Sequence, residues 1–180
     1  MPPTRSSPGG VAVSSSPPVD DVRALRSTFA SGKTRGAPWR LQQLRRLQSL
    51  LAVHRQAMCE GMKADLNKSH TEGYFNEINL VEHEVQSALD SLSTWMAPEK
   101  KSTNLLNIPG WSSVSKDPLG VVFIMGAWNY PVQLTLLPLV GALAAGNCAY
   151  LKVPSDMSPQ SSKVLLLLLL LLLLLLLLLL

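Results

Sequence analysis

A chain of 180 residues with a formal charge of +4 is long enough for one domain with its own core, or for one domain plus an appendage. Lys and Arg are scattered along helical stretches and never form the block of like charge that tracks a phosphate backbone, so no nucleic-acid partner is expected. Hydrophobic residues reach 47%, yet Leu165 to Leu180 are all leucine, and without that tail the composition is that of an ordinary water-soluble protein.

Residues Met1 to Val19 are rich in Pro, Ser and Gly. They offer too little apolar surface to offset the entropy lost on ordering, so a disordered leader over residues 1–19 is expected. No apolar run follows Arg5, which argues against a secretory signal. A short helix is expected from Asp20 to Ala30, with Val22, Leu25 and Phe29 at helical spacing, Asp20 and Asp21 at its positive end, and Gly32 as its stop. Pro38 then opens a long amphipathic helix carrying Leu41, Leu44, Leu47, Leu51, Met58, Met62 and Leu66 on one face. A polar break from Asn67 to Gly73 separates it from a second helix, which points Ile78, Val81, Val85, Leu89 and Leu92 inward and ends at Pro98. The two form a helical hairpin.

From Asn104 the pattern changes. Leu105 to Ile108 and Trp111 to Ser115 read as two short strands around a Pro109-Gly110 turn. The continuous apolar run Gly120 to Met125 reads as a strand covered on both faces. Val132 to Ala145 suits a helix ended by Gly146-Asn147, and Cys148 to Lys152 is another buried strand. Strand, helix and strand within about thirty residues make a βαβ unit, whose parallel strands imply a larger α/β sheet. Cys59 and Cys148 stand apart, outside any CxxC or Cys/His cluster, as reduced cytosolic thiols do.

The string Pro118-Leu-Gly-Val-Val-Phe-Ile-Met-Gly-Ala-Trp-Asn-Tyr-Pro131, followed by Pro138-Leu-Val-Gly-Ala-Leu-Ala-Ala-Gly-Asn147 and then Leu151-Lys152, resembles the start of the cofactor-binding domain of aldehyde dehydrogenases. The Trp-Asn-Tyr-Pro form and the short leader before Arg23 most resemble the class 3 branch, and the similarity runs from about Asp20 to Lys163. The resemblance implies an α/β fold: an amino-terminal helical hairpin, a β-hairpin arm that aids subunit assembly, and the first βαβ unit of an incomplete Rossmann-like NAD(P)-binding domain over residues 20–163. It also implies a homodimeric, cytoplasmic parent enzyme that oxidises aldehydes with NAD or NADP. In such chemistry a Cys thiolate attacks the carbonyl, hydride passes to nicotinamide, and a Glu general base assists hydrolysis of the thioester.

The motif's Asn, here Asn129, implies a side-chain amide donor for the oxyanion. Lys152 corresponds to the family's cofactor-binding Lys on the adenosine ribose, with Ser155 and Asp156 beside it. The segment Ile124, Met125, Gly126 to Trp128 is expected to line the cofactor cleft. Two departures from the family pattern stand out. Val153 separates Lys152 from Pro154, a step of about 3.8 Å along the chain, and Asp156 replaces a Glu. Nothing matches the segment with the nucleophilic Cys or the general-base Glu, so the chain is expected to be truncated before them and inactive alone.

By residue type alone, Asn129 is a turn former, Lys152 a solvated strand-end residue, and Trp128 and Tyr130 packing residues. Glu82-His83-Glu84 lies on adjacent helix positions about 100° apart and reads as a solvated face, with no metal expected. Val164 to Leu180, roughly 25 Å as a helix against a hydrocarbon core of about 30 Å, leaves three readings: an artefactual repeat, a membrane-contacting helix, or a buried helix. The membrane reading makes the chain a non-enzymatic, tail-anchored regulatory fragment.

Overall fold

The computed structural model of the protein describes residues 11–12, 18–154 and 157–177. A parallel three-stranded sheet has the order β1 (Val11–Ala12), β5 (Cys148–Lys152), β4 (Val121–Met125), with Val121 beside Cys148 and Met125 beside Lys152. Helix α5 (Gln133–Ala145) crosses between β4 and β5, so the expected βαβ unit forms. The core joins one face of this sheet to α5, α2 (Ala37–Leu66), α4 (Asn79–Met96) and α6 (Pro159–Leu177). On the other face, Leu25 and Phe29 of α1 (Pro18–Ala30) pack against Val121, Cys148 and Tyr150. Helix α1 covers the amino-terminal half of that face. The half toward the strands' carboxyl ends stays open, leaving Phe123, Met125 and Lys152 exposed.

The expected helical hairpin is present, with a sharper break than its polar composition implied. Asn67 ends α2 in the left-handed conformation (φ 55°), its N–H donating to the Lys63 carbonyl. Ser69 then caps a new turn, its hydroxyl accepting from the Glu72 amide at 3.1 Å. Helix resumes as α3 (His70–Gly73), so the break shrinks from Asn67–Gly73 to three residues, 67–69. Between Tyr74 and Ile78 the helix widens, the Asn79 N–H reaching back to the Tyr74 carbonyl. Such wide turns insert one extra residue and often mark functional sites.

Two expectations are corrected. The first nineteen residues are not all leader: Val11 and Ala12 pair in parallel with Ala149 and Tyr150, and α1 starts at Pro18. The reason is a distant sheet edge that local composition cannot register; residues 1–10 and 13–17 lie outside the described residues. In the arm, β3 (Ser112–Val114) pairs antiparallel with β2 (Glu99–Lys101) instead of with Leu105–Ile108. Leu105–Asn107 is a helical turn because the Asn104 side chain caps it, accepting from the Leu106 amide. Of the three readings of the tail, the described part of α6 has the form of a buried helix. Residues Leu165, Leu168, Leu169 and Leu172 of α6 are fully buried at i, i+3, i+4, i+7 spacing. The Asp65 carboxylate of α2 accepts the Gln160 and Ser161 amides at 3.0 and 2.7 Å. Gly61 lets the helices close: a Cβ there would sit 3.1 Å from the Ser161 backbone. Among the described residues no helix is long and apolar enough to cross a membrane.

This docking makes chemically identical residues unequal. Leu168→Ala is expected to cost about 2–5 kcal/mol of unfolding free energy, while Leu167→Ala, at a half-exposed position, stays within about 0.5 kcal/mol. Urea denaturation of the two variants measures the difference, and equal effects would show an undocked tail.

Candidate functional site

Ligands of open parallel sheets gather beyond the carboxyl ends of the strands, and here those ends are Met125 and Lys152, neighbours in register. The loop after β4, residues 126–132, leaves the sheet through Gly126, whose N–H donates to the Lys152 carbonyl at 2.9 Å. Only glycine fits, because a Cβ at this position would collide with Thr135 Oγ1 and press on Pro154 at 3.2 Å. The loop therefore lies flat against the start of α5. It carries Trp128, half exposed, and Asn129, exposed.

The sequence-derived residues divide into three groups. Met125 and Lys152 are neighbours in register at the strand ends, and Trp128 and Asn129 are exposed on the loop that follows β4 from Gly126. Ile124 turns its side chain into the core at 6% exposure, leaving only its backbone to a ligand. Ser155 and Asp156 lie outside the described residues. Val153, the residue that interrupts Lys-Pro, is itself buried, as is Pro154. The chain turns into the core directly after the Lys152 ammonium, which remains exposed.

Beneath the loop sit two residues that sequence reasoning missed. Glu77 is fully buried and Lys68 nearly so, and they form an ion pair at 2.6 Å. The other Glu77 oxygen accepts the Val132 and Gln133 amides at 2.8 and 3.2 Å, where the positive end of α5 favours an anion. Lys68 also donates to the Asn129 carbonyl at 2.7 Å and lies 3.9 Å from the centre of the Tyr130 ring. A signal was available for Glu77: it precedes Val81 by one turn, an acid on the stripe that continues through Val85 and Leu92. None existed for Lys68, which looks like any Lys in a polar break. Tyr130 packs on Lys68, whereas Trp128 points outward. Glu82 is bonded to Arg55 at 2.8 Å.

The exposed groups available to a cofactor near the strand ends are the Lys152 ammonium and the Met125 and Trp128 side chains. An exposed ammonium suits ribose hydroxyls, and the open Met125 and Trp128 side chains give a planar ring apolar surface.

A family model described as the aldehyde dehydrogenase family matches residues 11–171. The chain is 43% identical over 144 residues to an aldehyde dehydrogenase of Craterostigma plantagineum, covering 80% of this chain and 30% of the relative. It is 44% identical over 149 residues to aldehyde dehydrogenase family 3 member B1 of Bos taurus, covering 83% and 32%. Among solved structures, the substrate-bound AldH of Staphylococcus aureus superposes with a TM-score of 0.77 at 31% identity, covering 79% of this chain and 31% of that one. Betaine aldehyde dehydrogenase of Staphylococcus aureus in complex with NAD+ has the same fold over 86% of this chain, with a TM-score of 0.73 at 22% identity. The chain thus spans about 30% of the length of the relatives it matches.

Both thiols are buried. Cys148 is fully buried and burial pushes its pKa up to about 11; Cys59, 2% exposed, is also raised, chiefly by burial. A thiol that ionises less readily when folded contributes stability that is complete below its ordinary value of 9.0. That contribution fades as pH climbs through the folded value. Between pH 9 and about 11 the native protein should lose stability faster than Cys148→Ala, as read from denaturation midpoints across that range. Parallel curves would show that Cys148 ionises freely.

Proposed function

The chain belongs to the aldehyde dehydrogenase family, and from that we propose that it serves the oxidation of aldehydes to carboxylic acids with NAD or NADP. One observation carries this reading: Asn129 is exposed on a loop that leaves the sheet at the carboxyl ends of β4 and β5, with Lys152 beside that exit. In it, the Asn129 side-chain amide donates to the carbonyl oxygen as negative charge develops on it. Lys152 holds the adenosine ribose, Met125, Gly126 and Trp128 line the cleft, and Ile124 contributes its backbone. Ser155 and Asp156 complete the ribose side. The cofactor, when bound, supplies the hydride acceptor.

The nucleophile is a different matter. Cys59 and Cys148 are buried with raised pKa values, and a buried, neutral thiol is a poor nucleophile. The attacking thiolate is therefore not among these 180 residues, and the chain by itself turns over no aldehyde. It forms the part of the site that orients the carbonyl and cofactor, over a partial domain spanning residues 20–163, with the leucine part of α6 continuing beyond it. The β2–β3 arm, exposed throughout with Trp111 at 83% exposure, suits pairing with a second subunit of a cytoplasmic homodimer.

Incubating the purified chain with a medium-chain aldehyde and NAD or NADP is expected to give no sustained cofactor reduction; sustained reduction abolished by Asn129→Ala would overturn the inactivity of the isolated chain. In a chimera with the catalytic portion of a family 3 relative, Asn129→Ala is expected to lower kcat about 10²–10³-fold. An unchanged kcat would remove the oxyanion assignment. Lys152→Ala there should weaken cofactor binding about tenfold or more by calorimetry, the worth of one hydrogen bond from a charged donor.

A further inference from the structure

The Lys68–Glu77 pair is the most buried charged cluster near the candidate site, and neither residue meets a substrate or cofactor in the reading above. An ammonium has three N–H donors and no acceptor. Lys68 directs its charge at three partners: Glu77 Oε1 at 2.6 Å, the Asn129 carbonyl at 2.7 Å and the Tyr130 ring face at 3.9 Å. Glu77 is also fully committed, one oxygen to Lys68 and the other to the Val132 and Gln133 amides. The pair therefore grips the loop on both sides of Pro131. Gly126 fixes the loop's other end by bonding to Lys152.

We propose that the buried Lys68–Glu77 ion pair is a positioning device for the Asn129 loop, holding the Asn129 peptide from beneath so that its side-chain amide keeps one direction toward the strand ends. This rests on the reading of Asn129 as the oxyanion donor. The chemistry explains why charge is used at a buried site. An apolar replacement could fill the volume but could neither accept the two free amides that open α5 nor donate to the carbonyl of an exposed loop residue. Burying two ions is costly unless partners meet them on all sides, and here both Glu77 oxygens accept hydrogen bonds while the Lys68 ammonium has two oxygen acceptors and a ring face. The wide helical turn at Tyr74–Ile78 places Glu77 on the core-facing side of its helix, directly under Val132. Removing either partner leaves an unmatched charge under the loop, and because Lys68 bonds to the Asn129 main chain, Asn129→Ala leaves the grip intact.

Residue-resolved amide hydrogen exchange on the 15N,13C-labelled 180-residue chain tests the proposal, with Lys68→Met, Glu77→Gln and Asn129→Ala compared. In Lys68→Met the hydrogen-bonded amides at the two ends of the loop, Gly126, Val132, Gln133 and Leu134, should exchange about tenfold faster or more, while Leu44, Leu47 and Val85 in α2 and α4 keep their protection. The Asn129 carbonyl 13C resonance should shift upfield as it loses a charged donor. Asn129→Ala should leave loop protection as it is, and Glu77→Gln should expose Val132 and Gln133 first. Loop exchange unchanged in Lys68→Met overturns the proposal; so does equal acceleration in the core, which would make the pair a general stabiliser. Should Lys68→Met fail to fold, the unsubstituted protein still decides: a scalar coupling across the hydrogen bond from Lys68 15Nζ to the Asn129 carbonyl carbon supports the grip, and its absence overturns it. None of these readouts involves turnover, so a failed oxyanion assignment appears only in the Asn129→Ala activity ratio.

Discussion

Helix α5 is held at both ends by charges matched to its dipole, and the placement of everything around the candidate site follows from that constraint. At its positive end the Glu77 carboxylate accepts the Val132 and Gln133 amides. At its negative end the buried Arg40 guanidinium donates to the Ala144 carbonyl at 3.0 Å, and the Thr34 hydroxyl to the Gly146 carbonyl at 2.7 Å. Gly146, at φ 85°, allows this, because a side chain there would press on the Arg40 guanidinium at 2.6 Å. Opposite charges at opposite ends each stabilise a helix by up to about 2 kcal/mol when partly buried. Both charges come from the helical hairpin, so the hairpin sets where the crossover helix begins and stops.

A helix located in this way locates the strands on either side of it. β4 must end where α5 begins, and the intervening loop is too short to wander, with Gly126 tied to Lys152 and the Asn129 carbonyl tied to Lys68. β5 must start where α5 stops, and the Asn147 side chain accepts the Gly120 amide at 2.8 Å, fixing the register with β4. An exposed Asn on the loop after β4 and an exposed Lys at the end of β5 thus owe their places to the fold. The amino-terminal hairpin is a mould for the loop as much as a domain of its own. At the other end of α2, Asp65 and Gly61 play the corresponding part for α6.

Much of this arrangement could be read from residue pattern. Val121 to Met125 and Cys148 to Lys152 are apolar runs of strand length with a helix-length segment between them, and they became adjacent parallel strands. Val81, Val85 and Leu92 repeat at helical spacing and are buried. The turn motif around Asn129 was specific enough to name a family. The hairpin arm misled because Leu105 and Leu106 look like strand residues, while 83% and 91% of their surfaces are exposed; Asn104 capped a turn there, and the polar Glu99–Lys101 became the partner strand. Strand propensity reports a half-buried pleated surface, and no such surface exists at that point of the chain.

The sequence alone determined the main helices and the two strands of the βαβ unit, with their order, because hydrophobic period, capping residues and helix-breaking residues act over a few neighbouring positions. It also determined which loop carries Asn129. Tertiary structure alone decided that Lys68 and Glu77 belong beneath that loop, that Val11 and Ala12 extend the sheet, and which of the tail leucines face inward. The physical reason is the same each time. A buried charge, a strand edge and a side of a uniform helix acquire meaning only from the group opposite, and here those groups lie 61, 138 and 96 positions away in sequence.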